Sequence, residues 1–160
     1  MTRLRGLPPI IDAQARILVL GSFPSEASLA AGQYYAHRQN QFWRVLAAIL
    51  NQPLMAMDYE ARRVAVLAAG LAIWDVYGSC ERQGSLDTAI RNARKNDFVS
   101  LQTLAPRLAR VCFNGQAAGK FAPTLIAFGY DAVILPSTSS ANAGWSFERK
   151  LAAWRVALVR

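Results

Sequence analysis

Short apolar runs alternate with longer amphipathic stretches along this chain. "RILVLG" (16–21), "LAIWDV" (71–76), "RVCFNG" (110–115) and "AVILPS" (132–137) are dominated by Ile, Leu, Val and aromatic residues, the pattern of short buried strands. The stretches between them carry the helical period. In "NQFWRVLAAIL" (40–50), Phe42, Val45, Leu46, Ile49 and Leu50 fall on one stripe. "DYEARRVAVLAAG" (58–70) opens on Asp58 as a cap and closes on Gly70. "SLDTAIRNA" (85–93) predicts a short helix behind a serine cap, 100–109 a helical stretch interrupted by Pro106, and 116–128 a further helix. The closing helix, "SFERKLAAWRVALV" (146–159), buries Phe147, Leu151, Trp154 and Leu158.

Strands that alternate with helices lie parallel in one sheet, because each crossover needs the length a helix supplies and covers a face in passing. The expected fold class is therefore α/β, with helices on both faces of a parallel sheet. No repeat, low-complexity linker or shift in composition marks a second domain, so residues 1–160 are expected to form one. In such folds ligands bind beyond the carboxyl ends of the strands. That rule selects four segments, 21–43, 74–83, 113–116 and 136–145, as the place to look for function.

Composition narrows the classes. A hydrophobic content of 53% is ample for one core. No apolar run reaches the length of a membrane span, and "MTRLRGLPPIIDAQ" lacks the long apolar stretch of a signal peptide. A cytoplasmic protein with no membrane partner is expected. Cys80 and Cys112 have neither metal-ligand spacing nor a disulfide framework, and with one histidine in the chain a metal site is not expected. Charge adds a partner. Eighteen Lys and Arg against ten Asp and Glu leave +8, and fifteen of the eighteen are Arg, which grips phosphates bidentately. A polyanion is the natural partner of such a surface.

At the strand ends, "GSFPSEAS" (21–28) contains no GxGxxG, no GK[ST] occurs anywhere, and no GxSxG elbow supports a serine hydrolase. What stands there is flat apolar surface with amides and hydroxyls. "GSFPSEASLAAGQYYAHRQNQFW" (21–43) crowds Tyr34, Tyr35, Phe42 and Trp43 beside Ser22, Ser25, Gln33, His37 and Asn40. Rings sandwich planar molecules and amides read their edges, a combination that suits a nucleobase swung out of its stack. The helical stripe assigns Phe42 to the core and leaves Trp43 open. Tyr34 and Tyr35 are adjacent and point to opposite sides if extended, so at most one of the two is expected to line a pocket. Asn40 stands where a cap for the 41–50 helix is expected, and a cap at a strand-end loop still presents its amide to a ligand. "LPSTSSANAGW" (135–145) offers hydroxyls for phosphate oxygens. Asp75 ends its strand facing the same edge, where it is expected to bind the edge of a base.

"GSFPSEASL…QYYAHRQNQFW" and "LPSTSSANAGW", supported by "IWDV" and "VCFNG", resemble the uracil-DNA glycosylase superfamily, in particular its DNA-deoxyinosine (hypoxanthine-DNA) glycosylase branch. The resemblance covers roughly residues 16 to 157. It implies a three-layer α/β/α sandwich around a short, mostly four-stranded parallel sheet. It further implies a monofunctional enzyme, working as a monomer without metal or organic cofactor, that hydrolyses the N-glycosidic bond of a deaminated base, hypoxanthine or uracil, in DNA as the first step of base excision repair. Carried over by position, Gly21, Ser22, Phe23 and Pro24 hold the base, Tyr34 or Tyr35 stacks on it and His37 stands beside it. Asn40 positions the attacking water. Ser25, Ser137, Thr138, Ser139, Ser140 and Asn142 meet the DNA backbone.

Three positions depart from the family pattern. Phe23 stands where relatives with GxNPG carry a water-activating Asn, Ser25 replaces the second glycine of that motif, and Arg38 replaces the proline of H-P-x-N. A phenyl ring cannot polarise water, so either Asn40 carries that task or activity is lost. A weakened member of the fold that only binds DNA, and a hydrolase or transferase acting on a small ligand through Ser22, are the alternatives.

Overall fold

The computed structural model describes residues 2–142 and 144–159. Its strands are β1 (Arg3–Arg5), β2 (Ile17–Gly21), β3 (Leu71–Asp75), β4 (Tyr77–Glu81), β5 (Arg91–Lys95), β6 (Arg110–Asn114) and β7 (Asp131–Leu135). Its helices are α1 (Glu26–Ala31), α2 (Phe42–Leu50), α3 (Tyr59–Ala68), α4 (Leu101–Leu104), α5 (Gln116–Gly119), α6 (Ala122–Ala127) and α7 (Phe147–Leu158). The four apolar runs form one parallel sheet in the order β3-β2-β6-β7, with Leu20 opposite both Trp74 and Phe113.

Period-two alternation sorts these strands into two cores. Ile17, Val19, Ile73, Cys112 and Leu135 face α2, α3 and α7 through Phe42, Val45, Leu46, Val66 and Trp154. Leu18, Leu20, Trp74, Val111 and Phe113 face the opposite layer through Leu101, Ala118 and Leu125. All residues of β2 and β3 are buried, as strands covered on both faces require. The result is a three-layer α/β/α sandwich. Local signals fix its helices: Asp58 Oδ1 accepts from the Ala61 N–H at 2.8 Å and Ser146 Oγ from Arg149 N–H at 3.2 Å. Among the described residues no helix is long and apolar enough to cross a membrane.

A second sheet of three antiparallel strands, ordered β1-β4-β5, has no counterpart in the apolar pattern. The stretch 85–93 is not the expected helix: Ser85 caps no helix here, its Oγ accepting instead from the Glu26 N–H of α1, residues 87–89 make a single 3-10 turn, and the chain then enters β5. "RNARK" (91–95) is mostly exposed and bears no alternation, so its conformation comes from pairing with β4, across register shifts at Tyr77/Ser79 and Ser79/Glu81. The helix expected over 116–128 is two short ones, α5 and α6, with Pro123 in the first turn of the second. The second sheet reaches the functional end of the molecule. β3 runs almost directly into β4, and the Val76 and Tyr77 N–H groups donate to the Gly21 and Ser22 carbonyls at 2.7 and 3.1 Å. The small sheet is thereby fastened to the carboxyl end of the large one.

Candidate active site

A cavity of about 580 Å³ opens at the carboxyl ends of β2, β3, β6 and β7, within the size range of small-molecule sites. The segments selected by the sheet rule line it together.

The turn after β2 forms one wall. Gly21 is in close contact with its neighbours: a Cβ there would lie 2.6 Å from Asp75 Oδ1 and 3.0 Å from Tyr35 Oη. Gly21→Ala is expected to lower the unfolding free energy by about 1–3 kcal/mol through overpacking, read as a lower urea midpoint at unchanged m-value. An unaltered midpoint would show that Asp75 and Tyr35 are free to give way. Phe23 is buried with the Arg82 guanidinium 5.2 Å above its ring, and Arg82 Nη2 donates to the Pro24 carbonyl at 2.7 Å. Buried Ser22 Oγ lies 3.4 Å from Asp87 Oδ2. Ser25 Oγ accepts from the Ser28 N–H at 3.1 Å and so caps α1.

The two tyrosines of the aromatic segment differ. Tyr34 is an anchor: its Oη donates to the Leu7 and Pro8 carbonyls at 3.1 and 2.9 Å, and its own carbonyl accepts from Trp43 Nε1 at 2.9 Å. Phe42 and Trp43 are both core residues. Tyr35 is held at φ 55°, uncommon for a bulky side chain, and stacks on Phe42 with ring centroids 4.2 Å apart. Against the expectation that at most one would, both tyrosines line the cavity, because the positive φ of Tyr35 breaks the extended alternation; only Tyr35 brings a hydroxyl without a hydrogen-bond partner. Its Oη is buried without a hydrogen bond.

Asp75 faces it. The carboxyl is 4% exposed, its Oδ2 has no partner, and it lines the cavity floor. Burial, reinforced by the nearby Asp87 carboxylate and opposed by Arg82, pushes its pKa up to about 7. Burial also raises Asp87, against the Ser22 hydrogen bond and the Arg82 and Lys120 charges. The Tyr35 hydroxyl is pushed upward by burial and then by Asp75, against the nearby Asn114 side chain, so it stays protonated. Two buried polar groups without partners, side by side at a cavity floor, are costly in an empty protein and suited to a ligand that supplies the missing bonds.

Asn40 stands at the cavity wall one residue before the α2 cap. Its Oδ1 accepts from the Phe42 N–H at 2.9 Å, which leaves that oxygen a second lone pair. Asn40 is thus not the α2 cap, which is Gln41, but from the preceding position it satisfies the helix's first N–H while lining the cavity. His37 is exposed at the rim, with Nδ1 accepting from Gln39 N–H at 3.2 Å.

The loop after β7 closes the far side, fixed from below. Asn114 Nδ2 donates to Thr138 Oγ1 and the Thr138 N–H to Asn114 Oδ1, both at 2.9 Å. Lys150, only 2% exposed, donates from Nζ to Gln41 Oε1 at 2.9 Å and Ser139 O at 3.5 Å, and burial lowers its pKa. Trp154 Nε1 donates to the Pro136 carbonyl at 2.9 Å. Ser137, Ser139 and Asn142 line the cavity. Thr138 does too, fully buried. Ser140 is exposed outside the lining. Among the described lining residues there is no lysine, hence no amine for a Schiff base.

Asn114, Gly115, Ser85, Leu86 and Asp87 also line the cavity; only the first two, in "VCFNG", fall in a segment that the sequence singles out, and neither is assigned a role by it. The first two sit at the carboxyl end of β6, where position is the available signal. The other three lie in the stretch whose pattern suggests a helix.

A family model described as the uracil DNA glycosylase superfamily matches residues 8–158. The chain is 38% identical over 156 residues to a hypoxanthine DNA glycosylase of Methanosarcina barkeri, covering 98% of each chain. It is 38% identical over 146 residues to one of Methanosarcina acetivorans, covering 91% of this chain and 92% of that one. The solution NMR structure of a Methanosarcina acetivorans protein described as a candidate uracil DNA glycosylase superposes with a TM-score of 0.87 at 36% identity, over 99% of this chain and 100% of that one.

Proposed function

The chain belongs to the uracil DNA glycosylase superfamily and is a DNA glycosylase, and from that premise we propose that it releases hypoxanthine, and more slowly uracil, flipped from DNA into the cavity by hydrolysis of the N-glycosidic bond. The observation that carries this reading is one cavity lined by the Asn40 amide and by a buried pair of unpartnered groups, Tyr35 Oη and Asp75 Oδ2.

The chemistry asks little more. As the bond from the sugar C1′ to the base nitrogen lengthens, positive charge gathers on the sugar and negative charge on the base. Water then adds its oxygen to C1′, and the proton it loses passes through solvent to the released base anion. A group that orients that water contributes through position rather than through basicity. Asn40 Oδ1, with one lone pair held by the Phe42 N–H, offers the other to a water proton. The neutral Asp75 carboxyl has one donor and one acceptor, complementary to the N–H and C=O of a lactam edge, which hypoxanthine and uracil share. Hydrogen bonds to that edge strengthen as the base gains charge. Phe23, at the departed position, forms part of the wall with Arg82 behind it. Ser137, Ser139, Ser140 and Asn142 of the pinned loop, together with Ser25, meet backbone phosphates, whereas Thr138, fully buried and bonded to Asn114, only holds that loop in place; the Arg-rich surface supplies salt-dependent attraction.

The test is an oligonucleotide panel carrying hypoxanthine, uracil, xanthine or mismatched thymine, single- and double-stranded, scored for alkali-labile sites and free base. Alkali-labile sites are expected with hypoxanthine fastest and uracil behind it. Intact strands under all conditions, or release from a free nucleoside without DNA, would overturn the assignment.

A further inference from the structure

We infer that Arg82 is a positioning residue: its buried guanidinium clamps the turn that holds the base and serves as the counter-charge of the Asp75 and Asp87 carboxyls. The inference deepens the reading of the cavity as a base pocket and rests on it.

The clamp is visible in the contacts. Arg82 follows β4 directly and is 5% exposed, a rare state for arginine. Its Nη2 donates to the Pro24 carbonyl at 2.7 Å, and its guanidinium carbon lies 5.2 Å above the Phe23 ring. Phe23 and Pro24 line the cavity, whereas Arg82 is not among the lining residues. It therefore reaches the base only through that turn. Its Nε and Nη1 are buried without hydrogen-bond partners. A methionine would fill the space behind Phe23 without stripping a charge of water, so packing alone does not account for a guanidinium there. Among the described residues the other buried cation is Lys150, and it is bonded to Gln41 and Ser139.

The charge has two carboxyls to act on, and one carboxylate balances it. Asp87 is the one placed to ionise. It reaches solvent, Ser22 Oγ approaches its Oδ2 at 3.4 Å, and Lys120 as well as Arg82 favours its charged form. Asp75 is buried, its Oδ2 has no partner, and Arg82 is the cation opposing its rise to about 7. The proton is thereby left on Asp75, the carboxyl that meets the lactam edge. The other ionisable groups around the pair do not compete. Tyr34, Tyr35 and Tyr77 are pushed upward by burial first, as is the Cys80 thiol on the strand leading into Arg82, so all four stay neutral. With Arg82 removed, both carboxyls lose a cation that favours their charged forms and hold their protons to higher pH.

Two variants separate the clamp from the charge. Arg82→Lys keeps the charge and loses the planar fork, whereas Arg82→Met loses the charge at similar length. Single-turnover release from a hypoxanthine oligonucleotide is followed from neutral into alkaline pH. In Arg82→Met the alkaline fall in rate is expected to move up by about one pH unit or more, and the plateau below it to drop about tenfold. Arg82→Lys is expected to lose part of the plateau and keep the wild-type position of the fall. A residue that only supports the fold would lower the melting temperature and the plateau and leave the fall in place. An unmoved fall in Arg82→Met, or equal displacement in both variants, would overturn the role. Carboxyl-carbon NMR titration of the aspartate-labelled wild type needs neither catalysis nor a stable Arg82 variant. Assigned through Asp75→Asn and Asp87→Asn, it is expected to show Asp87 losing its proton at lower pH than Asp75, and the reverse order would overturn the proposal. If the wild type releases no base from any oligonucleotide, the glycosylase reading fails, and the NMR titration still decides which carboxyl Arg82 balances.

Discussion

Replacing Asn40 by alanine is expected to slow base release from a hypoxanthine oligonucleotide on the order of a hundredfold or more in single-turnover rate, with substrate binding little changed. Two effects are combined in that substitution and they separate. Asn40 Oδ1 also accepts the Phe42 N–H at 2.9 Å, so alanine removes a helix-capping bond worth about 1 kcal/mol. Asn40→Ser keeps an acceptor for that cap on a shorter side chain, withdrawn from the cavity. If water positioning is the role, the serine variant melts near the wild type yet stays slow. If the amide only holds the start of α2, serine restores both. Titration of binding to uncleaved DNA completes the comparison, since a lost transition-state contact lowers the rate without weakening the ground-state complex.

The second large effect is in pH. Asp75 titrates at about 7 in the folded protein, raised first by burial and then by Asp87, against about 3.9 in an unfolded chain. Between those values the folded state holds a proton that the unfolded state has released. Stability contributed by this group is complete below about pH 4 and falls as pH rises to about 7, levelling off above. Asp75→Asn removes the charge that must otherwise be buried. The variant is expected to melt higher than the wild type at pH 8, by roughly 3–6 °C, and level with it near pH 4. Activity tracks the same proton. If the neutral carboxyl donates to the base, wild-type turnover drops above pH 7, approaching tenfold per unit once Asp75 is ionised. The amide of Asp75→Asn has a donor and an acceptor at all pH values, so its profile is expected to be flat over that limb. An identical drop in wild type and variant would assign the titration to another group, with Asp87 the nearest candidate.

The central architecture is legible in the sequence because it is written in periodicity. Residues buried on both faces of a parallel sheet have to be apolar, so β2, β3 and the centre of β6 appear as runs; the edge strand β7, buried only at Leu135, carries an apolar run as well, and all four lie within a residue or two of their observed ends. Their carboxyl ends, located by topology alone, enclose the cavity. Asn40, Tyr35, Asp75 and the turn at Gly21 all line it. The second sheet is not legible, for the converse reason. β5 is held by backbone pairing to β4 and by Arg3, whose guanidinium donates to the Asn92 carbonyl at 2.7 Å, and neither leaves a trace in apolar spacing. Hidden with that sheet are Asp87, which raises the Asp75 pKa, and Leu86 at the cavity mouth. The helical period places Lys150 correctly on α7, but its reach into the loop after β7 depends on two distant segments meeting. A long side chain's destination is a property of the packed molecule.

The most direct measurement is a crystal structure with duplex DNA carrying 2′-fluoro-2′-deoxyinosine, whose fluorine slows bond cleavage. The expected result is the hypoxanthine outside the helix with its lactam edge on Asp75, and a water on the Asn40 amide facing C1′. A base still stacked in the duplex, or one in the cavity with Asn40 turned away and no water between amide and sugar, would contradict it.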